Sequence, residues 1–250
     1  MMGSDIQIFN QEYDIPAMLK QADALLYFLE IALKTSGNHD LAIQEVIEEP
    51  IIRHSQIWVL TQYHIVHHNY DVDEAKSIKV TTKLIEMNRF FANRYFEIRQ
   101  GDQQVIEIYA QFAAIDFEKR QIVRLDPSQI KDLDIIDQDH RFKFPKIKMP
   151  EMDETAPTSL MAIQADHIDM NDHVNNLVYI KWCLEVTPED IQADRNLATI
   201  DVKFGKEIRK GQAVQIRQAM AEDSQAVQLW YDIYNTSKEE QAAQVTMTWK

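Results

Sequence analysis

The chain has 250 residues, a formal net charge of −14 at pH 7 and a hydrophobic fraction of 45%. The negative charge makes non-specific binding to nucleic acid or to an anionic membrane unfavourable, and no run approaches the about 20 apolar residues that span a bilayer. A single cysteine, Cys183, excludes an internal disulfide and a metal site built from thiolates. An ordinary globular protein is therefore expected, with one large domain or two of about 120 residues each.

The start of the chain, Met1 to Asp5, contains no basic segment followed by an apolar stretch. Because a secretion signal needs both, secretion is not expected. The single cysteine also fits a reducing compartment. We therefore expect a cytoplasmic protein.

The first half of the chain predicts a strand, a buried helix and then several strands. A strand is expected near residues 7–12, and the helix that follows, 19–33, is apolar on nearly all sides. Gly37 predicts the end of this helix, because glycine takes the left-handed conformation that closes a helix, and 40–49 predicts a second short helix. Later segments rich in Val, Ile, Thr, Tyr and Phe predict strands at 57–67, 77–87, 90–99 and 104–116.

The second half repeats this order. Charged residues and prolines between 117 and 150 interrupt the pattern, and we interpret this part as a connector. Beyond it the sequence predicts a strand near 158–165, a helix at 174–186, and strands at 198–204, 212–220, 227–235 and 245–250. The predicted fold class is α+β, with two copies of a long helix wrapped by an antiparallel β-sheet.

The polar segment directly before the second helix concentrates acid/base and amide groups. Asp169, Asn171 and His173 occupy alternate positions and lead into the helix. Asn171 or Asp172 is expected to cap that helix, whose N-terminus stabilises negative charge. Each of these residues alone is more often structural than catalytic, whereas the combination suits attack on a carbonyl group.

The complete segment resembles the signature of the acyl-acyl carrier protein (acyl-ACP) thioesterases. It is Asp169-x-Asn171-x-His173-Val174-Asn175-Asn176-x-x-Tyr179-x-x-Trp182-x-x-Glu185. The resemblance covers nearly the whole chain, since 58–61 (Trp-Val-Leu-Thr) and the following strands are similar to the first half of the family. It implies a tandem double hotdog, with residues 1–140 as an N-terminal hotdog that holds the substrate pocket, 141–155 as connector and 156–250 as the catalytic hotdog.

The resemblance also implies an enzyme that releases free fatty acids from acyl-ACP. Asp169, Asn171 and His173 match the family's catalytic network, and Glu207 is the best match for a glutamate from a following strand. In this interpretation Glu207 activates water or attacks directly, and Asp169 and His173 orient one another. Asn171 and an N–H at the helix start hold the substrate carbonyl. From the residue alone, Glu207 is equally well an exposed strand carboxylate.

Two positions depart from the family pattern. Ile208 stands where many members have cysteine, which leaves the carboxylate as the stronger candidate, and His167 replaces an acidic residue and is interpreted as structural. Cys183 lies roughly 15 Å along the helix axis from His173, too far for a thiolate that His173 activates. The chain also lacks a Gly-x-Ser-x-Gly segment, which disfavours a serine triad.

No cofactor and no metal is expected. His64, His67 and His68 lie in a predicted strand without a set of carboxylate or cysteine ligands, and neighbouring strand residues face opposite sides. The glycine content is too low for a loop that binds phosphates.

The expected partner is an acyl carrier protein bearing a phosphopantetheine-linked acyl chain. Carrier proteins of this kind are acidic, so docking on an acidic chain needs a local basic region. Two clusters of Lys and Arg supply candidates: Arg141, Lys143, Lys146 and Lys148 in the connector, and Lys203, Lys206, Arg209 and Lys210 near Glu207. No nucleic acid or membrane insertion is expected, and the chain is interpreted as a monomer (a pseudo-dimer) or a homodimer.

Other functions are compatible with the same residues. The chain is alternatively an acyl-CoA thioesterase, another hotdog enzyme such as an enoyl-thioester hydratase, or a non-catalytic protein that binds acyl thioesters. The joint presence of Asp169, Asn171, His173 and Glu207 argues against a non-catalytic binder.

Overall fold

The computed structural model describes residues 4–16, 21–47, 49–68, 71–131 and 135–250. The chain divides into two compact units, one that ends at Phe144 and one that begins at Pro145. Each unit is a mixture of α-helix and antiparallel β-sheet. No helix in the described ranges is long and apolar enough to cross a membrane.

The described part of the first unit contains a long helix and six strands in one antiparallel sheet. The sheet order is β1-β3-β4-β5-β2, and the short β6 pairs with β5. The strands predicted in this half are present, with ends that differ by a few residues. The elements are α1 (Ser4–Gln7), β1 (Phe9–Tyr13), α2 (Gln21–Gln44), β2 (Gln56–His67), β3 (Ile78–Met87), β4 (Phe91–Gln100), β5 (Gln103–Asp116), β6 (Gln121–Ile122) and α3 (Ser128–Lys131).

Helix α2 is continuous, so the predicted end at Gly37 and the separate helix at 40–49 are wrong. Gly37 lies on the exposed side of α2, while Thr35, Ser36 and His39 beside it are buried. A glycine inside a helix costs about 1 kcal/mol relative to alanine, and burial of the neighbouring turns offsets that cost. The predicted start of this helix, 19–20, lies outside the described residues.

The second unit has the same strand order as the first. Numbered along each unit, both sheets run 1-3-4-5-2, and in both the long helix follows the first strand. The elements are β7 (Thr158–Met161), α4 (Asn176–Val186), α5 (Glu189–Asp194), β8 (Leu197–Phe204), β9 (Val214–Glu222), β10 (Val227–Asn235) and β11 (Glu240–Trp249), in the sheet order β7-β9-β10-β11-β8. The short α5 was not predicted.

Helix α4 owes its buried position to its apolar sequence. It contacts β11, and Trp182 is 1% exposed, so most of its large side chains lie in the core of this unit. The predicted alternation in β10 is confirmed, because Val227, Leu229 and Tyr231 are buried while the residues between them are half-buried. The buried helix thus presents its N-terminus, with the polar segment before it, at a defined place in the unit.

Candidate active site

The polar segment before α4 folds into a tight turn that Asp169 closes. The Asp169 carboxylate accepts hydrogen bonds from the backbone N–H of Asn171 at 2.8 Å and of His173 at 3.2 Å. The Asp169 N–H donates to the His173 carbonyl at 2.8 Å. Asp172 has a φ of +62°, a left-handed conformation that aspartate tolerates better than most residues. Asp169 therefore orients His173 through its backbone.

The imidazole of His173 meets the carboxylate of Glu207. His173 Nε2 lies 3.1 Å from Glu207 Oε2, so the structure brings together these two of the predicted site residues. The His173 side chain is 9% exposed, whereas that of Glu207 is 41% exposed. The buried imidazole thus faces a carboxylate that stays open to water or to a substrate.

Glu207 lies in the loop after β8, and not in a strand as predicted. Two backbone bonds hold the start of this loop beside β11: Gly205 N–H donates to the Ala242 carbonyl at 2.8 Å, and Lys206 N–H to the Gln241 carbonyl at 3.0 Å. A Cβ atom at Gly205 would lie 2.6 Å from the Gln241 carbonyl oxygen, so only glycine fits. This close approach sets the direction of the chain toward Glu207.

A second set of backbone contacts joins this loop to the turn of Asp169. Val174 N–H donates to the Ile208 carbonyl at 2.8 Å, and His173 forms an antiparallel bridge with Arg209. The Ile208 side chain is completely buried. Val174 follows His173 in the chain, and Ile208 follows Glu207. The hydrogen bond between Val174 and Ile208 therefore keeps the side chains of His173 and Glu207 close together.

The N-cap of α4 is Asn175. Its side-chain oxygen accepts a hydrogen bond from Leu177 N–H at 2.9 Å, and Val178 N–H donates to the Asn175 carbonyl at 2.9 Å. The prediction that Asn171 or Asp172 caps the helix is therefore wrong. Both residues lie in the turn closed by Asp169, ahead of the helix.

Two further amide groups are available at this end of α4. The side chain of Asn171 is exposed, and its carboxamide forms no hydrogen bond within the described residues. The N–H of Asn176, the first residue of α4, likewise has no acceptor in the part of the chain that the structure describes. Such a terminal N–H carries partial positive charge from the helix. The sequence predicted a helix-start donor without identifying it, and the N–H of Asn176 is the candidate for it.

The sequence of the chain matches two domain models along most of its length. The model described as Acyl-ACP thioesterase N-terminal domain matches residues 3–133, and the model described as Acyl-ACP thioesterase C-terminal domain matches residues 151–250. The chain belongs to the acyl-ACP thioesterase family. The resemblance inferred from the segment before α4 is thereby confirmed.

Individual relatives of this acyl-ACP thioesterase family member are distant. It is 33% identical over 86 residues to oleoyl-acyl carrier protein thioesterase 1 of Arabidopsis thaliana, covering 31% of this chain and 24% of that protein. The curated relatives that it matches are aligned over only 19% to 24% of their own length.

Solved structures share its fold. A protein of Lactobacillus plantarum named as an oleoyl thioesterase has a TM-score of 0.80 at 22% identity, over 100% of this chain and 98% of that chain. The 12:0-ACP thioesterase from Umbellularia californica has a TM-score of 0.78 at 15% identity, over 98% of this chain and 94% of that chain. At these identities the comparison shows the fold alone.

Tyr179 of this thioesterase family member is buried beside the turn of Asp169. It lies on α4, is 3% exposed and packs edge-on against Phe204 at 5.8 Å between ring centroids. Its pKa is raised to about 12, first by burial and also by the nearby Asp169, while a hydrogen bond with the Ile208 backbone opposes the rise.

The one cysteine of the chain lies where its thiol is unreactive. Cys183 is completely buried on α4, and burial raises the pKa of its thiol well above the ordinary value. A thiol in this state is a poor nucleophile.

His167 is buried as well: its Nδ1 accepts a hydrogen bond from Gln164 N–H at 3.2 Å, and its ring meets Trp182 edge-on at 5.6 Å. These contacts agree with a structural role for His167.

The first unit contains a cavity of about 240 Å³ between α2 and the sheet. Ile43, Leu84, Met87 and Ala92 form its buried apolar lining. The rest of the wall consists of half-buried apolar side chains and a smaller polar part: Leu33, Ile51, Trp58 and Phe112, and Ser36, Gly37, Asp40 and Arg94. The cavity is thus mainly apolar, with the ion pair of Asp40 on α2 and Arg94 on β4 in its wall.

A buried network surrounds the charged part of that wall. Arg94 donates to His39 Nδ1 at 2.9 Å and forms an ion pair with Asp40. His39 Nε2 is 2.6 Å from the Ile6 carbonyl, so the imidazole donates there and accepts from Arg94. Burial and the Arg94 charge lower the pKa of His39 to about 4, whereas burial raises the pKa of Asp40 against the effect of Arg94. The network therefore holds His39 neutral.

Within the described ranges, no group of three or more His, Cys, Asp and Glu side chains is arranged to hold a metal ion. His68, one of the three histidines considered above, lies 3.0 Å from Glu107 instead. A single carboxylate contact of this kind is an ion pair or a hydrogen bond, according to the protonation of the imidazole.

Proposed function

We propose that this chain hydrolyses the thioester bond of acyl-ACP and releases a free fatty acid. The observation that carries the proposal is the 3.1 Å contact between buried His173 and half-exposed Glu207. An oriented carboxylate open to solvent is suited to take a proton from an attacking water molecule. Membership of the acyl-ACP thioesterase family supports the choice of substrate.

In the proposed reaction, Glu207 accepts a proton from water while the water oxygen attacks the thioester carbonyl carbon. The C–S bond then breaks, and the proton passes to the departing phosphopantetheine sulfur. The products are a fatty acid and carrier protein with a free thiol. His173 holds the Glu207 carboxylate, and Asp169 holds His173 through the backbone bond at 3.2 Å.

The negative charge that develops on the carbonyl oxygen needs donors in place before the reaction. Asn176 N–H is our candidate, because it lies at the start of α4 and has no acceptor among the described residues. The exposed carboxamide of Asn171 is the second candidate donor. Both belong to the segment that also positions His173.

We further propose that the fold is a tandem double hotdog. The shared strand order 1-3-4-5-2 and the long helix after the first strand of each unit support two copies of one architecture. Residues 1–140 form the N-terminal copy with the substrate pocket, 141–155 the connector and 156–250 the catalytic copy.

The cavity of the first unit is the proposed pocket for the acyl chain. Its volume of about 240 Å³ and its lining of Ile43, Leu84, Met87 and Ala92 match a hydrocarbon chain. Arg94 and Asp40 limit the apolar wall, because a hydrocarbon chain placed against this ion pair would remove water from it without replacing hydrogen bonds.

The acidic carrier protein is proposed to dock on exposed basic side chains. Lys203, Lys206, Arg209 and Lys210 are exposed and lie on β8 and the Glu207 loop, and so close to Glu207 in the chain. Arg141, Lys143, Lys146 and Lys148 are exposed along the connector. Such local charge attracts an acidic partner although the whole chain carries −14.

The test is a panel of acyl-ACP and acyl-CoA thioesters of different chain lengths, assayed for free acid and free thiol. We expect stoichiometric release of both from acyl-ACP by the native chain, and loss of release in Glu207→Gln. Preference for acyl-CoA would replace the proposed substrate by that of an acyl-CoA thioesterase. Binding of acyl-ACP without turnover would indicate a non-catalytic acyl-thioester binder.

A further inference from the structure

The cavity of the first unit has a polar side to which the proposed reaction gives no role. Ser36, Asp40 and Arg94 lie in this part of its wall. Ser36 and Asp40 are one helical turn apart on α2, so they share a face of that helix. Gly37, also in the wall, has no side chain, and a Cβ atom there would meet no atom within 4 Å. The polar side therefore has open space beside it.

Arg94 has hydrogen-bonding capacity that its neighbours do not use. A guanidinium group has five N–H donors, and the contacts of Arg94 use two of them, one to His39 Nδ1 at 2.9 Å and one to the Asp40 carboxylate. The other N–H groups have no acceptor within the described residues, although the side chain is only 5% exposed. Because an unsatisfied buried donor is costly, an oxygen atom of a ligand is favoured beside Arg94.

Asp40 and Ser36 add acceptors to the same wall. Asp40 pairs with Arg94 through Oδ1, and its Oδ2 accepts no hydrogen bond in the part of the chain that the structure describes. Ser36 is 6% exposed, and its hydroxyl group likewise has no partner among the described residues. A serine hydroxyl both donates and accepts. A ligand group that lies here thus meets donors and acceptors together.

An alcohol group fits this combination better than other groups of an acyl chain. Its oxygen can accept from Arg94 while its O–H donates to Asp40. A plain hydrocarbon chain removes water from both side chains and replaces no hydrogen bond. A keto group lacks the donor, and a second carboxylate is repelled by that of Asp40.

We propose that this thioesterase family member is selective for acyl chains that carry a hydroxyl group, which binds between Arg94, Asp40 and Ser36. The inference rests on the proposed function, because it takes the cavity of the first unit as the site of the acyl chain. The apolar lining holds the hydrocarbon part of the substrate, and the polar side holds the hydroxyl group.

Two variants remove the neutral and the charged acceptor separately. Ser36→Ala deletes only a hydroxyl group, and alanine is favourable in a helix. Asp40→Asn replaces Oδ2 by an NH₂ group and keeps the acceptor for Arg94. Thr35→Val is the matched control on α2: it deletes a fully buried hydroxyl that donates to the Ile31 carbonyl at 2.7 Å and is not part of the cavity wall.

The experiment uses pairs of acyl-ACPs of equal chain length, one plain and one with a single hydroxyl group, which is placed at successive carbons in different pairs. Hydrolysis is measured as kcat/KM, and binding of the same pairs is measured as Kd on Glu207→Gln. We expect one region of the chain where the hydroxyl group raises kcat/KM and tightens binding by about 10-fold to 100-fold, the scale of a hydrogen bond to a charged group.

The variants locate the effect. Ser36→Ala and Asp40→Asn should each reduce the preference for the hydroxylated chain by about threefold or more and keep kcat/KM for the plain chain within about twofold. Thr35→Val should keep the native preference. Thermal unfolding of each variant checks that it is folded.

The outcomes separate this inference from the proposed function. If the native chain hydrolyses no acyl-ACP, the proposed function fails, and Kd values that favour the hydroxylated chain still support the binding site. If acyl-ACP is hydrolysed but no position of the hydroxyl group improves kcat/KM or Kd, the selectivity alone is overturned. A preference that stays unchanged in both Ser36→Ala and Asp40→Asn overturns it as well, because the hydroxyl group then binds elsewhere.

Discussion

His173 Nε2 lies 3.1 Å from Glu207 Oε2, although the two residues belong to different loops of the second unit. The backbone bond from Val174 N–H to the Ile208 carbonyl, one residue further along each loop, explains their closeness. The more exposed partner is the carboxylate, so the chemistry is expected to depend on Glu207 and its orientation to depend on His173.

Removal of the Glu207 carboxylate should abolish most turnover. We expect Glu207→Gln to lower kcat by about 10²-fold or more, the scale of a lost general base, and His173→Ala to be similarly impaired. Cys183→Ala is the contrasting variant: its buried thiol has a raised pKa, so turnover should stay near the native rate. Steady-state kinetics on one acyl-ACP measure all three. An inactive but folded Cys183→Ala would restore a thiol mechanism.

Alanine variants of Asn171 and Asn175 should separate an effect on turnover from an effect on stability. Asn171→Ala removes an exposed carboxamide proposed to hold the oxyanion, so kcat should fall by about 10²-fold while the free energy of unfolding changes by less than about 0.5 kcal/mol. Asn175→Ala removes the N-cap of α4 and should lower the free energy of unfolding by about 1 kcal/mol. Chemical denaturation and kinetics on both variants provide the comparison. A loss of stability without loss of kcat in Asn171→Ala would remove Asn171 from the site.

Strand β10 could be predicted from the alternation of apolar and polar side chains, because a period of two in the sequence corresponds to side chains that are alternately buried and more exposed. The end of α2 was mispredicted because Gly37 satisfies the local rule for a helix end, and only burial of Thr35 and His39 shows that the helix continues. The contact between His173 and Glu207 follows from backbone pairing of two loops, which no spacing encodes. The family resemblance predicted only that both residues belong to the site.

The N-cap of α4 illustrates the same limit within the site. Asn171, Asp172 and Asn175 are all good capping residues, so the sequence offers three candidates for one position, and the bond from Leu177 N–H decides for Asn175.

Protonation of His39 should make the first unit less stable in acid. Its pKa is about 4 in the fold and 6.5 in the unfolded chain, so between these values the unfolded state binds more protons. Stability from neutral His39 is therefore complete above about pH 6.5 and is lost as pH falls toward about 4, by up to about 3 kcal/mol. Asp40, whose pKa is raised, acts in the opposite sense: its contribution is lost as pH rises through its folded pKa.

The His39→Gln variant isolates this effect, because glutamine can donate to the Ile6 carbonyl and does not titrate. Denaturation of both proteins between about pH 7 and about pH 4 should show a steeper loss of stability in the native chain than in the variant. Asp40 is present in both proteins, so its contribution largely cancels in the difference. Equal slopes would mean that folding does not lower the pKa of His39.

Charge reversal at the basic residues near Glu207 should change KM only for the carrier-protein substrate. Reversal of charge in Lys206→Glu or Lys210→Glu should raise KM for acyl-ACP by up to about fivefold per residue, which corresponds to about 1 kcal/mol, and leave KM for a small acyl thioester unchanged. Lys119→Glu, an exposed lysine outside both basic clusters, is the control for net charge. Added salt should reduce the difference between variant and native chain, since exposed charges are screened. Equal effects on both substrates would contradict a docking role.

Ala92 offers a direct test of the proposed acyl pocket. It lies on β4, is 5% exposed and is the smallest buried side chain in the apolar lining of the cavity of the first unit. Leucine at this position would project three more carbon atoms into a space of about 240 Å³. The cavity can take this side chain with less strain than a filled core, so the variant is expected to fold.

The effect of Ala92→Leu should depend on the length of the substrate. Each methylene group that no longer fits an apolar pocket lowers kcat/KM by about 10-fold or more, so the longest acyl chains that the native enzyme accepts should be affected first. The shortest active chains should keep kcat/KM within about twofold, because they do not reach the filled space. Ala75→Leu, at an exposed turn position of the same unit, makes the same substitution outside the cavity and should leave the length profile unchanged. A uniform fall for all lengths in Ala92→Leu would instead indicate damage to the fold, and an unchanged profile in a folded variant would place the acyl chain outside this cavity.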